Sequence, residues 1–314
     1  MYNMANNLNF QRDEFINKIF KFAKKDKKIQ FISVDFGAPA LDQFRQKLSK
    51  QFIHLGICEQ NAIDFACGMS VEGFKTYVYA MAPFISLRCL EQHKTSTCLM
   101  NLDVTTIVTG IGLSYANSGP THYATEDLAC LRAIPNAIIY TASDPEIARR
   151  IAEITYKTKG PKFIRLDRKA SKNLLLKTSY KQILKGYRFL RKAKSPKLCI
   201  ISHGTIIQRA IQAVEKLDDK KQKNISIIDL VRCKPFPKDL TKLLDNYQTI
   251  VCIDEQTFSG GLYSIISEKI NNKKLINLSI PDKFIFENLG REILLDKNGL
   301  SIQNILEKLK KNII

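Results

Sequence analysis

The sequence is poor in what metal centres and membrane spans require. Histidine occurs four times in 314 residues. None of the eight cysteines (Cys58, Cys67, Cys89, Cys98, Cys130, Cys199, Cys233, Cys252) stands in a C-x-x-C pair, so a zinc site has little support. No stretch approaches the roughly eighteen uninterrupted apolar residues that span a bilayer. The opening segment, MYNMANNLNFQRDEF, has no apolar core behind a basic cap, which argues against a secretory leader. Repeats and low-complexity tracts are also lacking. These absences point to a cytoplasmic protein with buried, reduced thiols and no membrane partner.

What is present fits a globular chain long enough for two cores, with 45% hydrophobic and 25% charged residues. The formal charge of +19 raises the question of nucleic acid or an acidic membrane. The lysines, however, fall in short separate runs (24–28, 192–197, 220–223 and 308–311) without an interleaved aromatic surface. Solvated faces account for that pattern, and no nucleic-acid partner is expected.

From residue 29 onward, short β-branched runs alternate with longer helical patterns. Strands are predicted at 29–34, 52–55, 76–80, 104–109, 137–140 and 162–166. Helices are predicted at 62–69, 85–97, 125–132 and 145–157, the last opened by Asp144 as cap and Pro145 in the first turn. A second alternating unit has strands at 198–202, 225–230 and 249–253, with helices at 206–217, 262–270 and 302–311. Gly204 and Gly260-Gly261 punctuate its turns. The expectation is an α/β protein of two domains, 1–170 and 195–314, with mainly parallel sheets, flanking helices and a basic linker at 171–194.

Three clusters carry candidate chemistry. Gly56-Ile57-Cys58-Glu59-Gln60-Asn61 places a carboxylate where a strand gives way to a helix, which is also what a plain helix cap would do. Thr109-Gly110-Ile111-Gly112-Leu113-Ser114-Tyr115 leads into Ser118-Gly119-Pro120-Thr121-His122, a glycine-containing loop at the carboxyl end of a strand, where α/β sheets place their sites. Pro83-Phe84, Arg88 and Glu91-Gln92 head a helix; the ordinary reading is a core aromatic and an Arg–Glu helix pair.

In order and spacing, the run from Phe31 to Arg168 resembles the pyrimidine-binding domain of transketolases and of deoxyxylulose-phosphate synthase. The shared pieces are Ser33-Val34-Asp35-Phe36-Gly37, the Glu59 cluster, Phe84 with Arg88, Gly119-Pro120-Thr121-His122, Glu126-Asp127-Leu128, Leu131-Arg132 and Ile134-Pro135-Asn136. The second half resembles the transketolase C-terminal domain through Asp254-Glu255, Gly260-Gly261-Leu262, Pro281-Asp282-Lys283-Phe284 and Gly299-Leu300-Ser301. The Gly-Asp-Gly motif with which the family binds the cofactor diphosphate and its metal has no counterpart, since no Gly-Asp dipeptide occurs in the chain.

The resemblance implies the C-terminal subunit of a split transketolase, dependent on thiamine diphosphate, which moves a two-carbon ketol unit between sugars or sugar phosphates. The partner is then an N-terminal subunit that binds Mg2+ and the diphosphate, in an α2β2 assembly. It further implies that Glu59 bonds the pyrimidine ring nitrogen, Phe84 packs on that ring and Asp35 lies near the cofactor. His122 is implied to meet the reacting carbonyl, and Arg168 to meet a sugar phosphate. Two departures bear on substrate: Gly110 stands where transketolases carry a further His, and Ser118 where they carry Asp. The competing readings are the beta subunit of a 2-oxoacid dehydrogenase decarboxylase component and a non-catalytic binding or regulatory homologue.

Overall fold

In the computed structural model, residues 8–34, 37–174 and 178–312 are described. Numbered along the chain, the first seven strands are β1 (Asn9–Phe10), β2 (Ile29–Val34), β3 (Phe52–Gly56), β4 (Lys75–Met81), β5 (Val104–Thr109), β6 (Ile138–Thr141) and β7 (Lys162–Leu166). They are followed by β8 (Ala170–Ser171), β9 (Tyr187–Arg191), β10 (Leu198–Ser202), β11 (Ile225–Leu230), β12 (Arg232–Lys234), β13 (Thr249–Thr257) and β14 (Lys274–Ile280).

One sheet has the order β12-β6-β7-β5-β4-β2-β3 and a second the order β14-β13-β10-β11-β9. Both are parallel except at one edge, where β12 runs antiparallel to β6 and β9 antiparallel to β11. Strands β2, β5, β10 and β11 are buried along their whole length, as expected when helices cover both faces of a parallel sheet. On one face of the first sheet the Gln11–Ala23 and Pro145–Lys157 helices pack through Phe15, Ile19, Ile147 and Ile151 against Phe31 and Tyr77. On the other, Ala62, Ile63 and Ala66 of the Glu59–Val71 helix meet Ile32, Val78 and Val108.

The Pro145–Lys157 helix starts as the sequence predicts, with the Asp144 carboxylate accepting the Ile147 amide at 2.9 Å. The Gln11–Ala23 helix has no counterpart among the predicted elements, although its buried Phe15, Ile16, Ile19, Phe20 and Ala23 fall on one helical face. The stretch 171–194, read from sequence as a linker, holds a helix (Tyr180–Leu184) and β9, and β9 pairs with the second sheet. Conversely β12, deep in the second half, joins the first sheet. The halves also share one apolar cluster, in which Leu128, Leu131, Ile139 and Phe163 meet Ile201, Ile228, Leu262 and Ile266. All eight cysteines are free, and six are buried. No helix among the described residues is long and apolar enough to cross a membrane.

Candidate active site

The parallel strands of the first sheet release their chains at one edge, and the candidate residues follow those releases. Gly56, at φ +79°, turns the chain out of β3, and Glu59 then opens the Glu59–Val71 helix. Phe84 follows β4, the 110–126 loop with His122 follows β5, and Arg168 follows β7. Convergence at the carboxyl edge is a consequence of parallel topology.

The side chains meet in a row. Glu59 is 6% exposed and accepts a hydrogen bond from Arg88 Nη1 at 2.7 Å. The Arg88 guanidinium lies 4.5 Å from the Phe84 ring centroid, and Phe84 meets the His122 ring edge-on at 5.3 Å. His122 lies 6.2 Å from Tyr115, over which Arg168 sits at 4.6 Å. His122 Nδ1 is engaged by the Thr121 hydroxyl at 3.0 Å. Phe84 and His122 are half-buried, while Arg88 and Arg168 reach solvent. Thus Glu59, Phe84, His122 and Arg168, far apart in sequence, line one edge. Asp35 lies outside the described residues.

Arg88 corrects one sequence expectation. Its carboxylate partner is Glu59, not the neighbouring Glu91, because the segment that carries it departs from a regular helix. Phe84–Arg88 and His93–Cys98 are π-helical turns on either side of Leu90–Gln92, and widening of this kind recurs at functional sites. The wider winding is anchored by His93, which is fully buried, edge-on to Phe163 at 4.8 Å, with Nε2 2.7 Å from the Ile85 carbonyl.

The loop is held from the second domain. Leu113 N–H donates to Glu255 at 3.2 Å, Leu128 N–H to Gln256 Oε1 at 3.2 Å, and Gln256 Nε2 to the Ala124 carbonyl at 3.1 Å. A Cβ on Gly112 would lie 2.7 Å from the Glu255 side chain, so only glycine lets β13 approach this closely. Arg291 joins the halves, bonding Asp167 and Glu255 at 2.6 Å each and Thr205 at 2.9 Å. Burial alone would raise the Asp167 carboxyl; Arg291, Thr205 and the Lys169 amide outweigh it and hold the group below its ordinary range. Arg165 and Asp127, both fully buried, form a two-pronged pair at 2.7 and 2.9 Å that pins the helix after the loop. The sequence offers no local signal for these pairings, which join residues as far apart as 113 and 255.

Residues 13–172 match the family "Transketolase, pyrimidine binding domain" and residues 188–304 match "Transketolase, C-terminal domain". The chain belongs to the transketolase family. It is 31% identical over 277 residues to a 1-deoxy-D-xylulose-5-phosphate synthase of Dictyoglomus thermophilum, covering 86% of this chain and 44% of that enzyme. It is 28% identical over 316 residues to one subunit of the apulose-4-phosphate transketolase of Phocaeicola vulgatus, covering 98% of this chain and all of that subunit (100%). A split-gene transketolase, described as an inactive beta4 tetramer, shares the fold with a TM-score of 0.84 at 23% identity, over 97% of this chain and 98% of that one. The chain spans about half the length of the deoxyxylulose-phosphate synthases it matches. It therefore holds two of the family's domains, in transketolase order.

Proposed function

We propose that this transketolase-family chain is the C-terminal subunit of a thiamine-diphosphate-dependent enzyme that transfers a two-carbon ketol unit between sugars or sugar phosphates. A separate N-terminal chain would supply the diphosphate and Mg2+ ligands. The match to one transketolase subunit over that subunit's whole length supports the division of labour. The observation that carries the reading is the row Glu59–Arg88–Phe84–His122.

That row also tests whether the cofactor suits the residues present. The planar Arg88 guanidinium already donates to the Glu59 carboxylate and lies over the Phe84 ring. A flat aminopyrimidine, which also carries N–H donors, is matched by the same carboxylate and aromatic pair. When bound, thiamine diphosphate supplies the electron sink for breaking and forming the carbon–carbon bond. Glu59 would share a proton with the ring nitrogen through its carboxylate oxygen. His122, with Nδ1 engaged by Thr121, would present Nε2 to the substrate carbonyl and move a proton there. Arg168 would grip an anionic substrate end with its guanidinium fork. The Phe84 ring and the loop would exclude water from one side.

The test is reconstitution. This chain, its partner, magnesium and thiamine diphosphate together should move a ketol unit from a ketose phosphate to an aldose, whereas this chain alone should not. The likeness to 1-deoxy-D-xylulose-5-phosphate synthases favours a second reading, formation of 1-deoxy-D-xylulose 5-phosphate in place of ketol transfer between sugars. Appearance of that product without ketol transfer would select it, and full activity of the lone chain would defeat both. The inactive tetramer of the related split-gene chain is the behaviour expected of an unpartnered subunit.

A further inference from the structure

Gly110 leaves β5 at φ +91°, and a Cβ placed there would lie 2.0 Å from Cε2 of Tyr115. The Tyr115 ring therefore occupies the volume that any side chain at position 110 would need. The segment between them is tied down at several points. The Gly110 amide donates to the Leu166 carbonyl at 2.8 Å, Leu113 N–H to Glu255 at 3.2 Å, and the Ser114 hydroxyl to the Ile111 carbonyl at 2.7 Å. Tyr115 is 4% exposed and so forms a fixed platform. On it lies the Arg168 guanidinium, 4.6 Å from the ring centroid. Arg168 is exposed, and among the described residues no carboxylate pairs with it. A cavity of about 340 Å³ opens beside it, lined in part by Ser114, Asn117, Arg168, Lys169 and Arg291.

We propose that Tyr115 is the positioning residue for Arg168, holding its guanidinium at the mouth of this cavity to receive the phosphate monoester end of the substrate. This rests on the reading of Arg168 as the substrate contact. A free arginine side chain loses rotamer freedom when it grips an anion. Stacking on a rigid ring removes much of that loss beforehand. A cation–π contact uses no N–H hydrogen bond, so the guanidinium donors remain for two oxygens. Glycine at position 110 is the condition for the platform, because a larger residue would displace the ring.

The experiment titrates inorganic phosphate and a pentose 5-phosphate into the assembled complex by calorimetry, with steady-state kinetics alongside. Wild type and Tyr115→Phe should bind alike, since both keep the ring. Tyr115→Leu should bind roughly fivefold more weakly, the scale of one cation–π contact. Because leucine also changes packing against Gly110, Arg168→Lys serves as a second variant that keeps the charge and loses the planar stack; it should weaken binding to a similar extent. The Tyr115→Leu/Arg168→Leu double variant should bind no worse than Arg168→Leu alone. In kinetics, Tyr115→Leu should raise KM for the phosphorylated substrate several-fold more than KM for the unphosphorylated sugar. Binding like wild type by both Tyr115→Leu and Arg168→Lys, or additive losses in the double variant, would overturn the proposal. A wild type that binds neither probe would instead remove the Arg168 reading, and this inference with it.

Discussion

A carboxylate in the first turn of a helix is favoured by the free amides there, and Glu59 adds to this the Arg88 bond and near-complete burial. Glu59→Gln keeps the shape and removes the charge. We expect folding and partner binding to survive while turnover falls by orders of magnitude, several kcal/mol of barrier. Proton exchange at the cofactor's reactive carbon should fall with it. Activity within about twofold of wild type would defeat the role assigned to Glu59. At this scale the candidates Glu59, Phe84, His122 and Arg168 could be named from the sequence because each stands inside a short motif. The partner of Arg88 is not, because Glu91 lies three residues away in sequence while Glu59 is brought close only by the fold. Nor is the Tyr115 platform, which depends on one glycine held at positive φ.

Among the elements, the π-wound segment from Phe84 to Cys98 depends on His93. Burial pushes the His93 imidazole down from 6.5 to about 4, against the opposing effect of its bond to the Ile85 carbonyl. Its other nitrogen, Nδ1, has no hydrogen-bond partner among the described residues, so protonation would leave a buried donor unsatisfied. With the folded value below the unfolded one, the unfolded chain binds more protons as pH falls below about 6.5. Stability should therefore be full above that pH and decline towards pH 4, by about 3 kcal/mol if the whole difference is expressed. Thermal unfolding of wild type and His93→Gln between pH 7 and 4 checks this, the variant showing the shallower decline; parallel curves would clear His93. The core strands of both sheets were readable from their β-branched runs. The irregular winding was not, because apolar spacing over 85–97 fits an ordinary helix equally well. β14, with the sequence KLINLSI, is concealed by its lysine, asparagine and serine.

For the whole molecule, each copy supplies the same side of the proposed cofactor site, so two copies of this chain cannot complete it. Two-fold symmetry is the commonest closed arrangement of protein chains, and Ile57 and Phe65, 73% and 39% exposed, present apolar surface before and along the Glu59–Val71 helix. Light scattering of the co-purified complex should give the mass of two copies of each chain. A fully active one-to-one pair would refute the two-fold inference. Two domains were foreseeable from the alternation of elements; their interlocking was not, since β12 is short and pairs with β6 across a long stretch of sequence.

The crossing of β12 into the first sheet has a practical consequence. Its Arg232 and Lys234 pair with Tyr140 and Ile139, so the second half of the polypeptide supplies the rim of the first. The two halves are stitched together by this strand. Scission near residue 186 strips the rim and leaves the amide and carbonyl groups along β6 bare, an invitation to recruit strands from other molecules. Residues 1–186 produced alone should precipitate or exchange strands into mixed oligomers, and co-production with residues 187–314 should return them to solution. A well-behaved monomer of 1–186 would show that the borrowed strand is dispensable.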